Sequence, residues 1–209
     1  MSIEKVNDLV VRGKAKLVAA AVQEALDEGC DPSAILNAMI SAMDTVGENF
    51  KNGVIFVPEM LIAAKAMKKG VEVLKPPLAS GAAGALGKVI IGTVAGDLHD
   101  IGKNLVAMMI ESAGFEVIDL GVDVPVEKFL SAYEENEGVK IVACSALLTT
   151  TMPALEETVT ALNAAPWRGN VKVMVGGAPI TQEFADKIGA DAYTPDAASA
   201  AKKAKELVA

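Results

Sequence analysis

The sequence predicts two folding units: an N-terminal all-α four-helix bundle and an α/β domain with a five-stranded parallel sheet. Over residues 1–75, apolar residues recur at helical spacing. Over residues 88–209, short β-branched runs alternate with helical patterns, which is typical of a parallel sheet covered by helices. A stretch rich in Pro, Ala and Gly, residues 76–87, lies between the two patterns. Such a composition predicts a linker between two domains.

The helical half divides at glycine and proline residues. Gly13 interrupts the first periodic run. Asp31–Pro32 reads as an N-cap followed by proline at the first helical position. We predict a polar connection at residues 47–53, after which Pro58 opens the last helix. These breaks divide the segment into four helices, enough for a small bundle.

Strands and helices alternate after the linker. The strands are predicted at Val89–Val94, Phe115–Leu120, Ile141–Ser145, Val171–Val175 and Asp191–Tyr193. The helices are predicted near residues 103–113, 126–136, 153–164, 181–188 and 196–208. Five βα units fit the flavodoxin-like, Rossmann-type strand order 2-1-3-4-5. In that order the ligand crevice lies at the carboxyl ends of the first and third strands.

Polar and glycine residues follow the strands at that edge. The first strand is followed by Asp97–Asp100, which contains the single histidine of the chain, His99. The third strand is followed by the hydroxyl-rich segment 145–153, and the fourth by a glycine pair at 176–177. The loop after the second strand, Gly121–Pro125, looks less reactive. We therefore expect the ligand site to be built from the first, third and fourth of these loops.

Composition narrows the class of protein. The net charge of −8 argues against nucleic acid or an anionic membrane as a partner. The N-terminus lacks the layout of a signal peptide, and the apolar runs are shorter than the roughly 20 residues of a membrane helix. Cys30 and Cys144 show no metal-type spacing and are predicted to be free thiols. We expect a cytoplasmic protein.

Several kinds of site could use the turn around His99. A phosphate-binding loop does not fit, because five residues separate Gly96 from Gly102 and Asn104 replaces the required Ser or Thr. A free metal ion held by Asp97, His99 and Asp100 lacks a second histidine, and a purely local hydrogen-bonding role for His99 remains an alternative.

The Asp-x-His spacing favours a different chemistry. A carboxylate two residues away can accept a hydrogen bond from one imidazole nitrogen and orient the other outward, as happens beside metal-ligating histidines. One imidazole does not cage a free ion. A metal that is already held in a macrocycle with an open axial position fits this arrangement.

Three motifs then carry a resemblance to a known family. Asp97–Gly102, Ser145–Leu147 and Gly176–Gly177 together resemble the corrinoid-binding signature of cobalamin-dependent methyltransferases. The helical half, with Phe56–Leu61, resembles the cap domain that precedes it. The chain thus resembles the free-standing corrinoid protein of three-component methyltransferase systems, whose modules are similar to the cap and cobalamin-binding modules of methionine synthase.

The resemblance implies roles for individual residues. His99 would be the lower axial ligand to cobalt in a base-off/His-on cobalamin, and Asp97 would hydrogen-bond its other ring nitrogen. Thr151 stands where a hydroxyl of the family completes this network, often as serine. The further cofactor-binding residues that the resemblance implies are Asp100, Gly102, Ser145, Leu147, Thr149, Gly176 and Gly177, with cap contacts from Phe50, Val57 and Met60.

The resemblance also implies a function. The chain would accept a methyl group on cobalt(I) from a substrate-specific methyltransferase and pass it to a second methyltransferase that serves a tetrahydrofolate-type pterin or a thiol coenzyme. A reductive activase would be a third partner, and we expect no complete turnover by the chain alone. Carriers of this kind serve methylamines, methanol, aryl methyl ethers or quaternary amines, and the partner selects among them. A corrinoid-binding sensor and a flavodoxin-like metal-dependent hydrolase are the alternatives.

Overall fold

The structure is a computed structural model that describes residues 2–79 and 86–209. The chain divides into two compact units, of which the first includes residues 2–79 and the second includes residues 86–111 and 115–209. The first unit is helical, and the second contains a parallel sheet with flanking helices. The predicted fold class is therefore confirmed.

The helical unit contains four helices within the described residues. They are α1 (Ser2–Val11), α2 (Ala15–Asp27), α3 (Pro32–Lys51) and α4 (Val57–Ala79). As predicted, Asp31 caps α3, since its Oδ2 accepts a hydrogen bond from the amide of Ala34 at 3.0 Å. No helix in the described ranges is long and apolar enough to cross a membrane.

Two of the predicted helix ends are wrong. Helix α3 continues through residues 47–51, which were expected to be a polar connection. Gly47 is a buried residue in the interior of this helix and not the site of a chain reversal. Helix α4 continues through residues 76–79 of the predicted linker, although proline lacks the amide donor that a helix interior uses. Residues 80–85 of that linker lie outside the described residues.

Glycine lets the helices of this unit approach each other closely. A Cβ at Gly70 of α4 would lie 2.3 Å from Cε of Met39 in α3 and 2.9 Å from Cγ1 of Val18 in α2. A larger residue at this position would require the side chains of Met39 and Val18 to shift.

The α/β unit follows the predicted alternation. Its elements are β1 (Lys88–Thr93), α5 (Ile101–Ser112), β2 (Glu116–Asp119), α6 (Val126–Glu134), β3 (Val139–Ser145), α7 (Met152–Ala164), β4 (Lys172–Gly176), α8 (Gln182–Ile188), β5 (Ala192–Tyr193) and α9 (Ala197–Val208). All pairings are parallel, and the order β2-β1-β3-β4-β5 confirms the prediction. The loops after β1 and β3 therefore flank the switch point of the sheet.

Both faces of the central strands are covered. Five successive residues of β1, Val89–Thr93, are buried, and alternate side chains of a strand point to opposite faces. Gly92 admits helix α6, because a Cβ there would lie 2.8 Å from Cζ of the fully buried Phe129. This packing fixes the sheet and leaves its carboxyl edge as the place where polar loops meet.

Both cysteines are free thiols, as predicted. Cys144 lies in β3, where burial raises the pKa of its thiol. A thiol that stays protonated is a poor nucleophile and a poor metal ligand, so Cys144 is a core residue.

Candidate functional site

The carboxylate of Asp97 is the centre of the polar network at the carboxyl edge. Asp97 is fully buried, in the loop after β1. Its Oδ1 accepts a hydrogen bond from Nδ1 of His99 at 2.7 Å and from the His99 amide at 3.1 Å. Its Oδ2 accepts from the Leu147 amide at 2.6 Å and from the Thr151 hydroxyl at 2.8 Å. Residues 97, 99, 147 and 151, all singled out from the sequence, thus meet in one place.

These hydrogen bonds keep the Asp97 carboxylate ionised. Burial by itself raises the pKa of Asp97, but the Leu147 amide, the ring and amide of His99 and the Thr151 hydroxyl outweigh burial and hold that pKa well below its usual range. An ionised carboxylate can only accept hydrogen bonds. In the neutral imidazole the proton must therefore sit on Nδ1, which leaves the lone pair on Nε2.

A second chain of hydroxyl groups supports the backbone of His99. The Thr93 hydroxyl donates to the His99 carbonyl at 2.9 Å, and it lies 2.9 Å from Oγ of Ser145. Because the single proton of Thr93 goes to the carbonyl, Ser145 donates to Thr93. Thr93 is fully buried, and nothing in the sequence pattern distinguished it from the rest of strand β1. Its position opposite Ser145 follows from the β1–β3 register.

The glycines predicted to admit a cofactor differ in what surrounds them. A Cβ at Gly177 would lie 1.8 Å from the Ala146 carbonyl oxygen, and one at Gly176 would lie 3.2 Å from the Thr194 carbonyl oxygen. The packing of the chain itself thus accounts for Gly177. A Cβ at Gly102, in the first turn of α5, would meet no described atom within 4 Å. The described part of the fold therefore gives no reason for glycine at position 102.

A single outward imidazole supplies one ligand, which fits a metal that already carries its other ligands in a macrocycle. In the described part of the chain, no group of three or more His, Cys, Asp or Glu side chains could hold a metal ion. The His99 side chain is 48% exposed, so its ring is accessible to such a group.

The comparison with known families agrees with this geometry. Residues 87–202 and residues 2–75 match two families that are each described as a B12 binding domain. The chain belongs to the B12-binding family. The dimethylamine corrinoid protein 1 of Methanosarcina acetivorans is 44% identical, over 99% of this chain and 97% of the relative. The trimethylamine corrinoid protein 2 of the same organism is 45% identical, over 99% and 96%.

Solved structures show the same architecture. A cobalamin-binding protein from Desulfitobacterium hafniense matches with a TM-score of 0.85 and 30% identity, over 100% of both chains. A chain of the methanol:cobalamin methyltransferase complex MtaBC from Methanosarcina barkeri matches with a TM-score of 0.83 and 32% identity, over 99% of this chain and 79% of that one.

The segments that follow β1 and β3 in this B12-binding protein expose large apolar side chains. They are Leu98 (73%), Ile101 (77%), Leu147 (39%) and Leu148 (41%). Thr149 and Asp100, both predicted to bind the cofactor, are also exposed, and Asp100 contacts Asn104 through a side-chain hydrogen bond of 3.3 Å. Apolar side chains that surround an oriented polar group are typical of a ligand site.

The burial of Lys103, which pairs with the exposed Asp119 near the site, was not anticipated from the sequence. Lys103, in the first turn of α5, is 4% exposed. Its Nζ donates to both carboxylate oxygens of Asp119 at 2.6 and 2.7 Å and to Oδ1 of Asn104 at 2.7 Å. The pair ties the start of α5 to the end of β2. Lysine at the start of a helix is a common surface pattern, so the sequence carried no signal for burial.

The predicted cap contacts differ in exposure. Met60 is buried, at 1% exposure, whereas Phe50 and Val57 are partly buried. Exposed apolar residues of the connection between α3 and α4 are Val54 (68%) and Phe56 (67%). The contacts of Phe50, Val57 and Met60 with a cofactor stay predictions.

Proposed function

We propose that this chain is a corrinoid methyl carrier in which His99 is the lower axial ligand to cobalt in the base-off/His-on state. The observation that carries the proposal is the 2.7 Å hydrogen bond between Nδ1 of His99 and the buried Asp97 carboxylate. That contact uses Nδ1 and leaves Nε2 as the remaining nitrogen of a side chain that is 48% exposed. Within the described residues, Nε2 of His99 makes no hydrogen bond.

A bound corrinoid supplies a cobalt centre that takes up and releases a methyl group. Asp97 and its partners would control His99, the residue that would bind this centre. Asp97 holds the His99 ring in one tautomer and one orientation through its hydrogen bond to Nδ1. The Leu147 amide and Thr151 hydroxyl keep that charge in place.

The remaining residues of the site would hold the body and nucleotide tail of the cofactor. The space beside Gly102 is open, since a Cβ there would meet no described atom within 4 Å, and the nucleotide tail would pass through it. The exposed Leu98, Ile101 and Leu147 offer apolar surface to the macrocycle. Ser145, Thr149 and Gly176–Gly177 line the carboxyl ends of the neighbouring strands, where a tail would lie.

The relatives suggest the partners. Two of them are named for dimethylamine and trimethylamine, and one structural match belongs to a methanol:cobalamin methyltransferase complex. The greater identity with the methylamine proteins favours a methylamine methyltransferase as the donor partner. We also propose a second methyltransferase that delivers the methyl group to a pterin or thiol coenzyme, a reductive activase, and a cytoplasmic location.

Reconstitution with hydroxocobalamin tests the proposal. The full chain should bind it with a base-off/His-on absorption spectrum, and the cobalt(II) state should show splitting by one nitrogen in electron paramagnetic resonance. His99→Gly should retain cofactor but lose that splitting. Glu127→Gln, at an exposed position in the first turn of α6, is the matched control and should behave as the original chain.

Two results would contradict this proposal. Failure of the folded chain to bind any corrinoid would remove the carrier function. An unchanged cobalt(II) spectrum in His99→Gly would leave cofactor binding in place but remove His99 as the ligand.

A further inference from the structure

The loop after β2 contacts the turn that carries Asp97. This turn spans Val94–Asp97, with the Asp97 amide donating to the Val94 carbonyl at 3.2 Å. Gly96 has a φ of +79°, which suits the third position of a type II turn. The turn therefore sets the direction in which the Asp97 side chain leaves the backbone.

Asp123 holds this turn through two hydrogen bonds. Its Oδ1 accepts from the Gly96 amide at 2.7 Å, and its own amide donates to the Asp97 carbonyl at 2.9 Å. Among the described residues, Asp123 is the one non-glycine residue with a positive φ, +53°. Aspartate is one of the few residues that tolerate this conformation, and here its side chain bonds a neighbouring backbone amide.

The loop around Asp123 is itself anchored to strand β1. The Thr93 amide donates to the Gly121 carbonyl at 3.0 Å, and the Val124 amide donates to the Thr93 carbonyl at 2.9 Å. These bonds bracket Asp123 on both sides. Asp123 thus transmits the position of a sheet-bound loop to the Asp97 turn.

We propose that Asp123 is a positioning residue for the Asp97–His99 pair. The backbone of Asp97 is held from the β2–α6 loop by Asp123, while its carboxylate is held from the β3–α7 loop by Leu147 and Thr151. Two separate loops therefore fix the group that orients the His99 ring. The role in ring orientation holds for the apoprotein, and its effect on a cobalt ligand rests on the proposed function.

Two substitutions separate the carboxylate from the backbone conformation. Asp123→Gly keeps the positive φ and removes the acceptor, whereas Asp123→Asn keeps an acceptor oxygen and tolerates the same φ. Asp191→Gly is the matched control, because Asp191 accepts a hydrogen bond from the Val173 amide at 2.6 Å at the opposite edge of the sheet. Asp123→Ser, with a shorter and weaker acceptor, should give intermediate values and serves if Asp123→Gly does not fold.

The readouts use the full apoprotein at one fixed pH. Amide exchange at Gly96 should be about tenfold or more faster in Asp123→Gly, which loses the hydrogen bond, and clearly less accelerated in Asp123→Asn, which keeps an uncharged acceptor. Because the chain has one histidine, the ring nitrogen signals of His99 are unambiguous in nuclear magnetic resonance. They should show one tautomer in the original chain, Asp123→Asn and Asp191→Gly, and a mixture in Asp123→Gly.

Two results with the apoprotein would overturn the proposal. If Gly96 exchange accelerates while the His99 tautomer stays the same, Asp123 only closes a loop. If Asp123→Asn behaves like Asp123→Gly, the acceptor is not the relevant feature. With hydroxocobalamin bound, Asp123→Gly should also weaken the nitrogen splitting from His99. Failure of the original chain to bind a corrinoid would remove the proposed function and leave the apoprotein result on Asp123 intact.

Discussion

At the amino edge of the sheet, Asp191 accepts hydrogen bonds from the Val173 amide at 2.6 Å and from Nη2 of Arg168 at 2.7 Å. At the carboxyl edge, Asp97 likewise accepts from a backbone amide, that of Leu147, at 2.6 Å. The side chain that donates to each carboxylate differs: it is Arg168 for Asp191 and His99 for Asp97. The Arg168 side chain is 22% exposed and therefore largely enclosed, whereas the His99 side chain is 48% exposed and accessible from solvent.

The amino edge satisfies its charges within the protein. Besides Asp191, Arg168 bonds Oδ1 of Asn163 at 2.6 Å and the Val171 carbonyl at 2.8 Å. At the carboxyl edge the Asp97 carboxylate also accepts several hydrogen bonds, but one of its donors is the His99 ring, which it orients through Nδ1. The same side-chain chemistry thus stabilises one edge and prepares a ligand at the other.

Removing the carboxylate at the carboxyl edge should have the largest effect. Asp97→Ala leaves the amides of Leu147 and His99 without their side-chain acceptor in a partly buried place, at roughly 1–3 kcal/mol for each unsatisfied group, whereas the Thr151 hydroxyl keeps the Leu148 carbonyl as an acceptor. We expect a loss of about 3 kcal/mol in the free energy of unfolding, measured by urea denaturation of the apoprotein. Asp97→Asn, which keeps an acceptor, should lose less, and equal losses in the two variants would contradict this account.

The corresponding change at the amino edge should be smaller and confined to stability. Asp191→Ala removes the acceptor of the Val173 amide and the partner of Arg168, and we expect a loss of about 2 kcal/mol in unfolding free energy. Cobalamin affinity and the cobalt(II) spectrum should stay as in the original chain. A changed nitrogen splitting in the cobalt(II) spectrum would show that the two edges are coupled, and would contradict the separate roles assigned to them.

Lowering the pH should give the smallest change in the free energy of unfolding. Because the pKa of Asp97 is lower in the folded chain than in the unfolded one, ionised Asp97 stabilises the fold fully above the unfolded pKa of about 3.9. That contribution is lost as pH falls further. The advantage of the original chain over Asp97→Asn should shrink by about 1 kcal/mol between pH 6 and pH 3. A constant difference over this range would mean that Asp97 titrates normally.

The strand order and the carboxyl-edge position of the site could be predicted from the sequence. Continuous β-branched runs mark strands with both faces buried, and the βα alternation leaves few possible orders. Asp97, His99 and Thr151 could be brought together through their resemblance to a known family, although residues 97 and 151 lie 54 positions apart.

Contacts that depend on loop conformation could not be predicted. Asp123 lies in a loop that looked less reactive, and its importance comes from a positive φ and from the approach of Gly96. Thr93 resembles any β-branched strand residue until the register sets it beside Ser145. Gly47 looks like a helix break, and its burial inside α3 depends on neighbouring helices that the local pattern does not describe.

The contrast between Gly102 and Gly177 bears on how sequence variation in this family should be interpreted. A methyl group at Gly177 would overlap the Ala146 carbonyl oxygen at 1.8 Å, so the fold itself forbids change there. A methyl group at Gly102 meets no described atom. Invariance at position 177 would therefore carry no information about a ligand. Invariance at position 102 would record selection by something that is not part of the described chain.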